Sequence, residues 1–284
     1  DVIPVVVHFR DLGAYINVGC SNIGTTISCR IRKAIPKIVM IGYMNVPHAT
    51  KLRLVNTAVY SGAFYGCEAT HVDESLLGKL TTAVANIMGP HSARRCLAMV
   101  FGLQSGDKDM DPTAVICNRR LTMCRRMCAK YPMCYQLVQD LLDFYTYAGF
   151  PGAIHEDCIA DKLPLQAAPP HGSSGRAAWK NGLHPLGPVG HMCYSAAQYR
   201  ICIDRTLYCH QRGEVSFNLC FCPIQFLNRL LRDMIIRARN EQAFSNRSAL
   251  KDTTELDLDI LRGAASRFKD KDEKDTLFFH LSLS

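Results

Sequence analysis

The chain has 284 residues, of which 48% are hydrophobic and 20% charged, and it carries a net charge of +8. These values are typical of a globular protein and exclude a disordered chain. No apolar run approaches the length of a membrane span, and the first residues lack the basic and apolar regions of a signal peptide. The positive charge favours a polyanionic partner only weakly, because many basic proteins bind none.

Fourteen cysteines are distributed along the chain. Several lie inside apolar stretches, as Cys29, Cys96, Cys117 and Cys202 do, and they lack the loop spacings of a disulfide scaffold. We therefore expect reduced thiols in an intracellular protein, either nuclear or cytoplasmic.

The first predicted element is a short β-hairpin, which we assign to residues 1–22. Residues 2–9 are rich in β-branched side chains, and a second strand-like run follows at residues 14–18. Asp11 and Gly13 between the two runs favour a turn or a bulge.

Residues 23–150 are predicted to form a helical domain. Isoleucines recur on one helical face from Ile23 to Ile38, and Pro36 lies inside this pattern. The first helix must therefore kink or end near the proline. Further helices are predicted to begin after Pro47, at the N-cap Asp73, after the Asp111–Pro112 pair and near Tyr135.

Residues 151–190 are rich in proline, glycine and serine, so they are predicted to form a linker. Residues 191–284 are predicted to form a second helical region, whose clearest helix follows Pro223. Its apolar stripe consists of Leu227, Leu230, Leu231, Met234, Ile235 and Ala238. The sequence thus predicts a mainly α-helical fold with a short N-terminal β-hairpin, a helical bundle and a second helical region.

Basic residues recur on single faces of the predicted helices. One such stripe is more often a solvated surface than a binding site. Stripes on three successive helices, with no Asp or Glu between Thr113 and Gln139, favour contact with a phosphate backbone. The two groups are Arg30, Lys33, Lys37, Lys51 and Arg53, and then Arg119, Arg126 and Lys130.

Familiar catalytic signatures are missing from the chain. The segment 172–175 does not match G-x-S-x-G, and His155 lacks the second histidine of H-E-x-x-H. There is no glycine-rich phosphate loop. We therefore predict no catalytic residue and no cofactor in this chain.

Two groups of cysteines are candidate zinc ligands, but neither contains the C-x-x-C spacing that presents two sulfurs to one ion. Cys124 and Cys128 could share one helix face, although buried structural thiols have the same spacing. No metal site is assigned, and a zinc-dependent or redox protein is kept as an alternative. The groups are Cys117, Cys124, Cys128 and Cys134, and then Cys202, Cys209, His210, Cys220 and Cys222.

The order of elements in residues 5–130 resembles the region after the catalytic palm in reverse transcriptases of non-LTR (LINE-type) retrotransposons. A strand with an F-x-x-L-G motif is followed by a helix with an R-I-x-K-A-like pattern, and then by a helix ending in an L-Y-G-x-E-like pattern. The matching residues are Phe9, Leu12 and Gly13; Arg30, Ile31, Lys33 and Ala34; and Phe64, Tyr65, Gly66 and Glu68.

The resemblance implies that Phe9, Leu12 and Gly13 form a primer-grip-like strand end, and that the helices form a thumb-like domain. The implied partners are RNA and RNA–DNA duplex, together with the palm and fingers of the same parent protein. The parent would be an RNA-directed DNA polymerase that uses Mg²⁺ bound upstream of this region.

The chain departs from the family in two places. Ala69 and Thr70 stand where the family often has Thr-Trp, and no Asp-Asp pair occurs anywhere. Polymerisation needs palm carboxylates that hold two metal ions, so this chain is expected to hold primer–template duplex through phosphates without joining nucleotides. Two alternatives are a helical protein–protein interaction module, in which the Leu227–Ala238 stripe packs on a partner, and a decayed, non-functional retroelement relic.

Overall fold

The computed structural model describes residues 8–11, 14–17, 25–89, 95–104, 109–154, 187–213 and 215–246. The chain is mainly helical, which confirms the predicted class. The helices are α1 (Thr25–Tyr43), α2 (His48–Leu54), α3 (Ser61–Ala63), α4 (Glu74–Met88), α5 (Leu97–Gln104), α6 (Pro112–Lys130), α7 (Pro132–Tyr147), α8 (Gly187–Ala197) and α9 (Ile224–Asn246). The strands are β1 (His8–Asp11), β2 (Ala14–Asn17), β3 (Cys202–Ile203), β4 (Tyr208–His210) and β5 (Phe217–Asn218). Within these ranges, no helix has both the length and the apolar character that crossing a membrane requires.

Strands β1 and β2 pair antiparallel, with Phe9 opposite Ile16. Leu12 and Gly13, which were predicted to end the primer-grip-like strand, lie outside the described residues. Strand β2 contacts α1, so the hairpin adjoins the first basic helix.

Helix α1 continues through Pro36, where the sequence predicted a kink or an end. The proline lacks an N–H, so the carbonyl of Arg32 loses its intrahelical donor. Both residues are exposed, and water can therefore hydrate that carbonyl. On the opposite face Ile31 and Ile38 are fully buried, and their packing holds the helix in place on both sides of the proline.

A π-helical segment, Val55–Tyr60, joins α2 to α3. The apolar spacing predicted an ordinary helix here and missed the wider turn. Tyr60 is fully buried at the end of this segment, and its hydroxyl donates to the carbonyl of Met110 at 2.6 Å. Burial raises the pKa of Tyr60 well above its usual value, so the phenol stays neutral. Beyond α3 the chain turns at Gly66, whose φ of 84° favours glycine.

Helices α4 and α6 begin at the aspartates that the sequence marked as N-caps. Asp73 accepts a hydrogen bond from the N–H of Leu76 at 3.0 Å, and Asp111 accepts one from the N–H of Thr113 at 3.0 Å. Each cap stabilises its helix by roughly 1 kcal/mol. These two predicted helix starts are confirmed.

The C-terminal part of the chain contains a three-stranded antiparallel sheet in the order β3–β4–β5, which the sequence did not predict. Its strands have two or three residues, too few for an alternating pattern to be recognised. Asp204 forms the turn between β3 and β4, because its Oδ1 accepts the N–H groups of Thr206 at 2.8 Å and Tyr208 at 3.0 Å.

Buried apolar side chains form two clusters. The N-terminal cluster joins α1, the π-helical segment, α4 and α5, and the C-terminal cluster joins α7, α8, α9 and the sheet. Helix α6 contributes to both, with Ile116 in the N-terminal cluster and Cys117 in the C-terminal cluster. The two clusters therefore share one helix.

The predicted domain boundaries remain predictions. Residues 155–186, most of the predicted linker, lie outside the described residues, and so does the C-terminal segment 247–284. Helix α8 begins at Gly187, so the last four residues of the predicted linker are helical.

The apolar stripe of α9 lies inside the C-terminal cluster. Leu227 and Leu231 are at most 1% exposed, so the alternative in which this stripe packs on a partner protein is wrong. Arg239 follows on the same helix and is also buried. Its guanidinium donates to both carboxylate oxygens of Asp109 at 2.9 Å and to Asp111 at 2.8 Å, which fastens α9 to the start of α6.

Arg120 of α6 lies buried between the two clusters, at 5% exposure. Its guanidinium donates to the carbonyls of Cys67 at 2.9 Å and Thr70 at 2.9 Å, both in the loop after α3. On its other side it donates to the carbonyl of His191 at 3.1 Å and to the hydroxyl of Ser195, both in α8. Burial lowers the pKa of this guanidinium, and these neutral oxygens take the place of water around it.

Replacement of Arg120 by methionine should leave several buried carbonyls without donors. We expect Arg120→Met to lower the free energy of unfolding by roughly 3 kcal/mol or more, measured by urea denaturation. Arg126→Met is the matched control, because Arg126 is exposed on the same helix. Equal effects of the two substitutions would show that Arg120 does not hold the clusters together.

Asp204 should make stability depend on pH. Burial alone would raise its pKa, but hydrogen bonds from His210, Thr206 and the N–H of Tyr208 hold the pKa below its usual 3.8. The ionised form therefore stabilises the fold above the pKa of the unfolded chain, and this contribution disappears as the pH falls through the folded pKa. From about pH 5 to about pH 2, the free energy of unfolding should fall more steeply in the wild type than in Asp204→Asn. Parallel pH profiles from urea denaturation would contradict this.

Candidate nucleic-acid interface

Two described, mostly helical stretches of the chain carry positive charge without any acidic residue. Residues 25–63 contain six basic side chains and no Asp or Glu, and α6 contains five basic side chains and no Asp or Glu. The two stretches are linked through α4, which packs on α1 and also contacts α6. Such an imbalance produces a positive potential that attracts polyanions.

Helix α1 presents part of this charge to solvent. Lys33 and Lys37 are exposed one turn apart, and Arg32 beside them is also exposed. The buried Ile31 and Ile38 fix the orientation of the helix, so the lysines point away from the core. Their ammonium groups are free to reach an anion in solvent.

Arg30 has a different role on the same helix. Its guanidinium donates to the carbonyl of Tyr65 at 2.6 Å and lies over the Tyr65 ring, 5.0 Å from the centroid. Arg30 therefore fastens α1 to the turn after α3, and it presents a positive charge that is already held in position.

Arg119 of α6 approaches the same turn region. Its guanidinium carbon lies 5.9 Å from the centroid of the Phe64 ring, and a guanidinium nitrogen is 3.5 Å from the carbonyl of Tyr60. The two predicted basic groups thus meet at residues 60–65, where each contributes one arginine.

The remaining members of the second group continue along α6. Arg126 and Lys130 are exposed and lie seven and eleven residues after Arg119, so the three share one helix face. Lys130 also lies over the ring of Tyr131, at 5.2 Å from its centroid. This row of charge runs roughly 16 Å along the helix axis.

Lys51 and Arg53 of α2 also differ from each other. Lys51 donates to the carbonyl of Gly42 at 2.7 Å, near the end of α1, whereas Arg53 is exposed. The last carbonyls of a helix have no intrahelical donor, and the ammonium group of a nearby lysine can donate to one of them. Lys51 therefore orients α2 against α1 and leaves Arg53 to solvent.

The three residues of the predicted primer-grip-like strand end remain untested. Phe9 lies in β1, while Leu12 and Gly13 lie outside the described residues. Their role stays a prediction.

Sequence reasoning did not single out two arginines of α6 that turn out to be structural. Arg120 joins the two clusters, and Arg125 donates to the carbonyls of Leu219 at 3.1 Å and Cys222, which fastens the turn after β5 to α6. Arg120 could have been found from its position beside Cys117 and Leu121 on the buried face of the helix.

The two cysteine groups, considered separately in the sequence, meet in the structure. The Sγ atoms of Cys124 and Cys128 are 3.9 Å apart, and Cys220 packs against the same cluster. The hydrogen bond with Cys124 raises the pKa of Cys128 to about 12, so its thiol stays protonated at neutral pH. Every cysteine in the described ranges is a free thiol. Across those ranges, no group of three or more His, Cys, Asp or Glu is arranged to hold a metal ion.

A cavity of about 420 Å³ lies between α4, α5 and α9. Its polar lining includes Glu74, Asp111 and Arg239, and the hydroxyl of Tyr199 donates to Asp111 at 3.1 Å. None of the exposed basic residues of α1 or α6 lines it.

The different contacts of Arg30 and Lys33 predict different effects on stability. Arg30→Ala removes a charged hydrogen bond and a cation–π contact, so the free energy of unfolding should fall by roughly 1 kcal/mol. Lys33→Ala, on the same helix but exposed, is the control and should change it by less than about 0.5 kcal/mol. Thermal and urea unfolding of both variants would measure this. If Arg30→Ala is as stable as Lys33→Ala, the contact with Tyr65 does not fasten α1.

Comparison with known proteins gives no relative on which a family could be assigned. No family model matches this chain, and no curated protein or solved structure matches it. Charge and geometry are therefore the grounds on which a function can be proposed.

Proposed function

We propose that this chain is the thumb-like, C-terminal part of a retroelement RNA-directed DNA polymerase, and that it holds RNA or RNA–DNA duplex through phosphate contacts. The observation that carries the proposal is the exposed pair Lys33 and Lys37 on α1, within a stretch that contains no acidic residue. The motif order around Phe9, Arg30 and Tyr65 supports the choice of family.

Lys33 and Lys37 are separated by roughly 6 Å along the helix axis, so they can meet nearby phosphates of one strand. Each ammonium group that neutralises a phosphate releases counterions, and this release supplies binding free energy that falls as salt rises. Contacts of this kind position a duplex and do not read its sequence.

Arg30 and Arg119 support the same surface in a second way. Each is already fastened to residues 60–65, by Tyr65 and by Phe64 and Tyr60, so it loses less conformational freedom when a phosphate binds. Arg126 and Lys130 would extend the contact along α6. Phe9, Leu12 and Gly13 would take the primer-grip role.

Nucleotide addition would belong to another part of the parent protein. The chain has no Asp-Asp pair, and Mg²⁺ for the reaction would be held by palm carboxylates upstream of this region. The role proposed for this chain is to bind and orient primer–template duplex.

The test is binding of a short RNA–DNA duplex by fluorescence anisotropy over a range of salt concentrations. Lys33→Glu with Lys37→Glu should weaken binding about tenfold or more, and it should reduce the slope of log affinity against log salt by about 2. Circular dichroism should show unchanged helix content, because both side chains are exposed.

The matched control is Arg212→Glu with Arg229→Glu, which changes net charge equally at exposed positions in the C-terminal part. This pair should bind like the wild type. If both variants lose affinity equally, the loss comes from the change in net charge and not from the position of the lysines. If the α1 variant binds duplex like the wild type, Lys33 and Lys37 do not contact the duplex.

A protein–protein interaction module is the second candidate, and one observation favours it. Met133, Leu137 and Phe144 on α7 are 77%, 57% and 62% exposed, and Leu141 completes a row on one helix face. This row, and not the buried stripe of α9, would contact a partner. Duplex binding that is absent at low salt, together with salt-insensitive binding of a protein through α7, would favour this candidate. A decayed relic would show neither activity.

A further inference from the structure

The C-terminal sheet brings together a serine, a histidine and an aspartate that are hydrogen-bonded in series. Nδ1 of His210 lies 2.8 Å from Oγ of Ser216, and Nε2 of His210 lies 2.7 Å from Oδ2 of Asp204. The histidine is in β4, the aspartate begins the turn between β3 and β4, and the serine directly precedes β5. Asp204 and His210 are buried, whereas Ser216 is exposed.

The contacts of Asp204 determine which nitrogen of His210 carries the proton. Hydrogen bonds keep Asp204 ionised, and an ionised carboxylate only accepts, so Nε2–H of His210 must donate to it. Neutral His210 then has a lone pair on Nδ1, and the hydroxyl of Ser216 donates to that lone pair.

The carboxylate itself is held rigidly. Its Oδ1 accepts from the hydroxyl of Thr206 at 2.6 Å and from two backbone N–H groups, so Oδ2 is fixed in the direction of His210. A base within reach of a hydroxyl, oriented by a third group, is the arrangement that activates a serine nucleophile. Here Nδ1 faces the serine, the reverse of the ring orientation in serine proteases, but either imidazole nitrogen can accept a proton.

We propose that Ser216 is a nucleophile for acyl transfer from small carboxylic esters, with His210 as general base and Asp204 as the residue that positions it. Val215, which precedes Ser216 in the chain, is 74% exposed and Tyr208 is 41% exposed, so both offer apolar contact to a short acyl or aryl group. The Tyr208 ring also stacks on the His210 ring, with centroids 6.2 Å apart. This activity is independent of the duplex-binding surface.

In the reaction, Oγ of Ser216 forms a bond to the ester carbonyl carbon while its proton moves to Nδ1 of His210. The carbon–oxygen bond to the alcohol then breaks, and the proton on Nδ1 passes to the departing alkoxide. This step leaves an acyl group on Ser216 and releases the alcohol. Water then bonds to the acyl carbon while Nδ1 takes its proton, the bond between that carbon and Oγ breaks, and the proton on Nδ1 returns to Oγ. This releases the carboxylic acid and restores the serine.

The first experiment treats the full chain with a fluorophosphonate probe, which reacts with activated serines. Oγ of Ser216 would bond to phosphorus, fluoride would leave, and the proton would pass to His210. Peptide mass spectrometry should locate the label on Ser216, with at least about 100-fold faster labelling than at the exposed Ser75 of α4. Labelling of both serines at the same rate would overturn the proposal.

The second experiment separates activation from folding. In Asp204→Asn the amide oxygen can still accept from Thr206 and Tyr208, while the NH₂ group faces His210. That NH₂ group donates to Nε2, so the ring proton moves to Nδ1. Nδ1 then has no lone pair with which to accept the proton of Ser216. Labelling of Ser216 in this variant should fall to the rate of Ser75, with unchanged circular dichroism. Ser216→Ala should abolish hydrolysis of p-nitrophenyl acetate above background, and Ser75→Ala should leave it unchanged. Hydrolysis that survives Ser216→Ala, or labelling that survives Asp204→Asn, would mean that the three side chains only hold the hairpin together.

Discussion

The guanidinium of Arg120 lies between the two apolar clusters and connects them through hydrogen bonds to the loop after α3 and to α8. Removing a cation from water costs several kcal/mol, and here carbonyl and hydroxyl oxygens offset that cost. Those oxygens belong to the loop after α3 and to α8, so neither cluster alone can complete the site. The buried charge therefore makes the assembly of the N-terminal and C-terminal parts cooperative.

Basic side chains are used in three physically distinct ways in this protein. Arg120, Arg125 and Arg239 form internal connections between elements. Arg30 and Arg119 are fastened at residues 60–65 and are partly exposed, while Lys33 and Lys37 are exposed to solvent. All of these residues add equally to the net charge. Only Arg30 and Arg119, together with Lys33 and Lys37, can contribute to a positive surface.

The elements that the sequence predicted well are those governed by local chemistry. Asp73 and Asp111 mark helix starts because an aspartate oxygen can accept nearby N–H groups, and this requires no distant partner. The sequence left open whether α1 ends or continues at Pro36, because continuation depends on Ile31 and Ile38 packing against other helices. The meeting of Arg30 and Arg119 and the hydrogen-bonded series of Asp204, His210 and Ser216 are likewise tertiary. In the sequence, His210 stood out only as a neighbour of cysteines.

The π-helical segment Val55–Tyr60 makes the fold tolerant of a change in chain length at one place. A π turn holds more residues than an α turn, so this segment contains one residue more than a regular helix of the same extent would need. Loss of one of its exposed residues, Thr57 or Ala58, would leave an ordinary helix of about the same extent, with Tyr60 and Phe64 still facing Met110 and Arg119. A deletion inside a regular helix such as α6 would instead rotate everything beyond it by about 100°. A single-residue deletion should therefore be tolerated better in this segment than in α6.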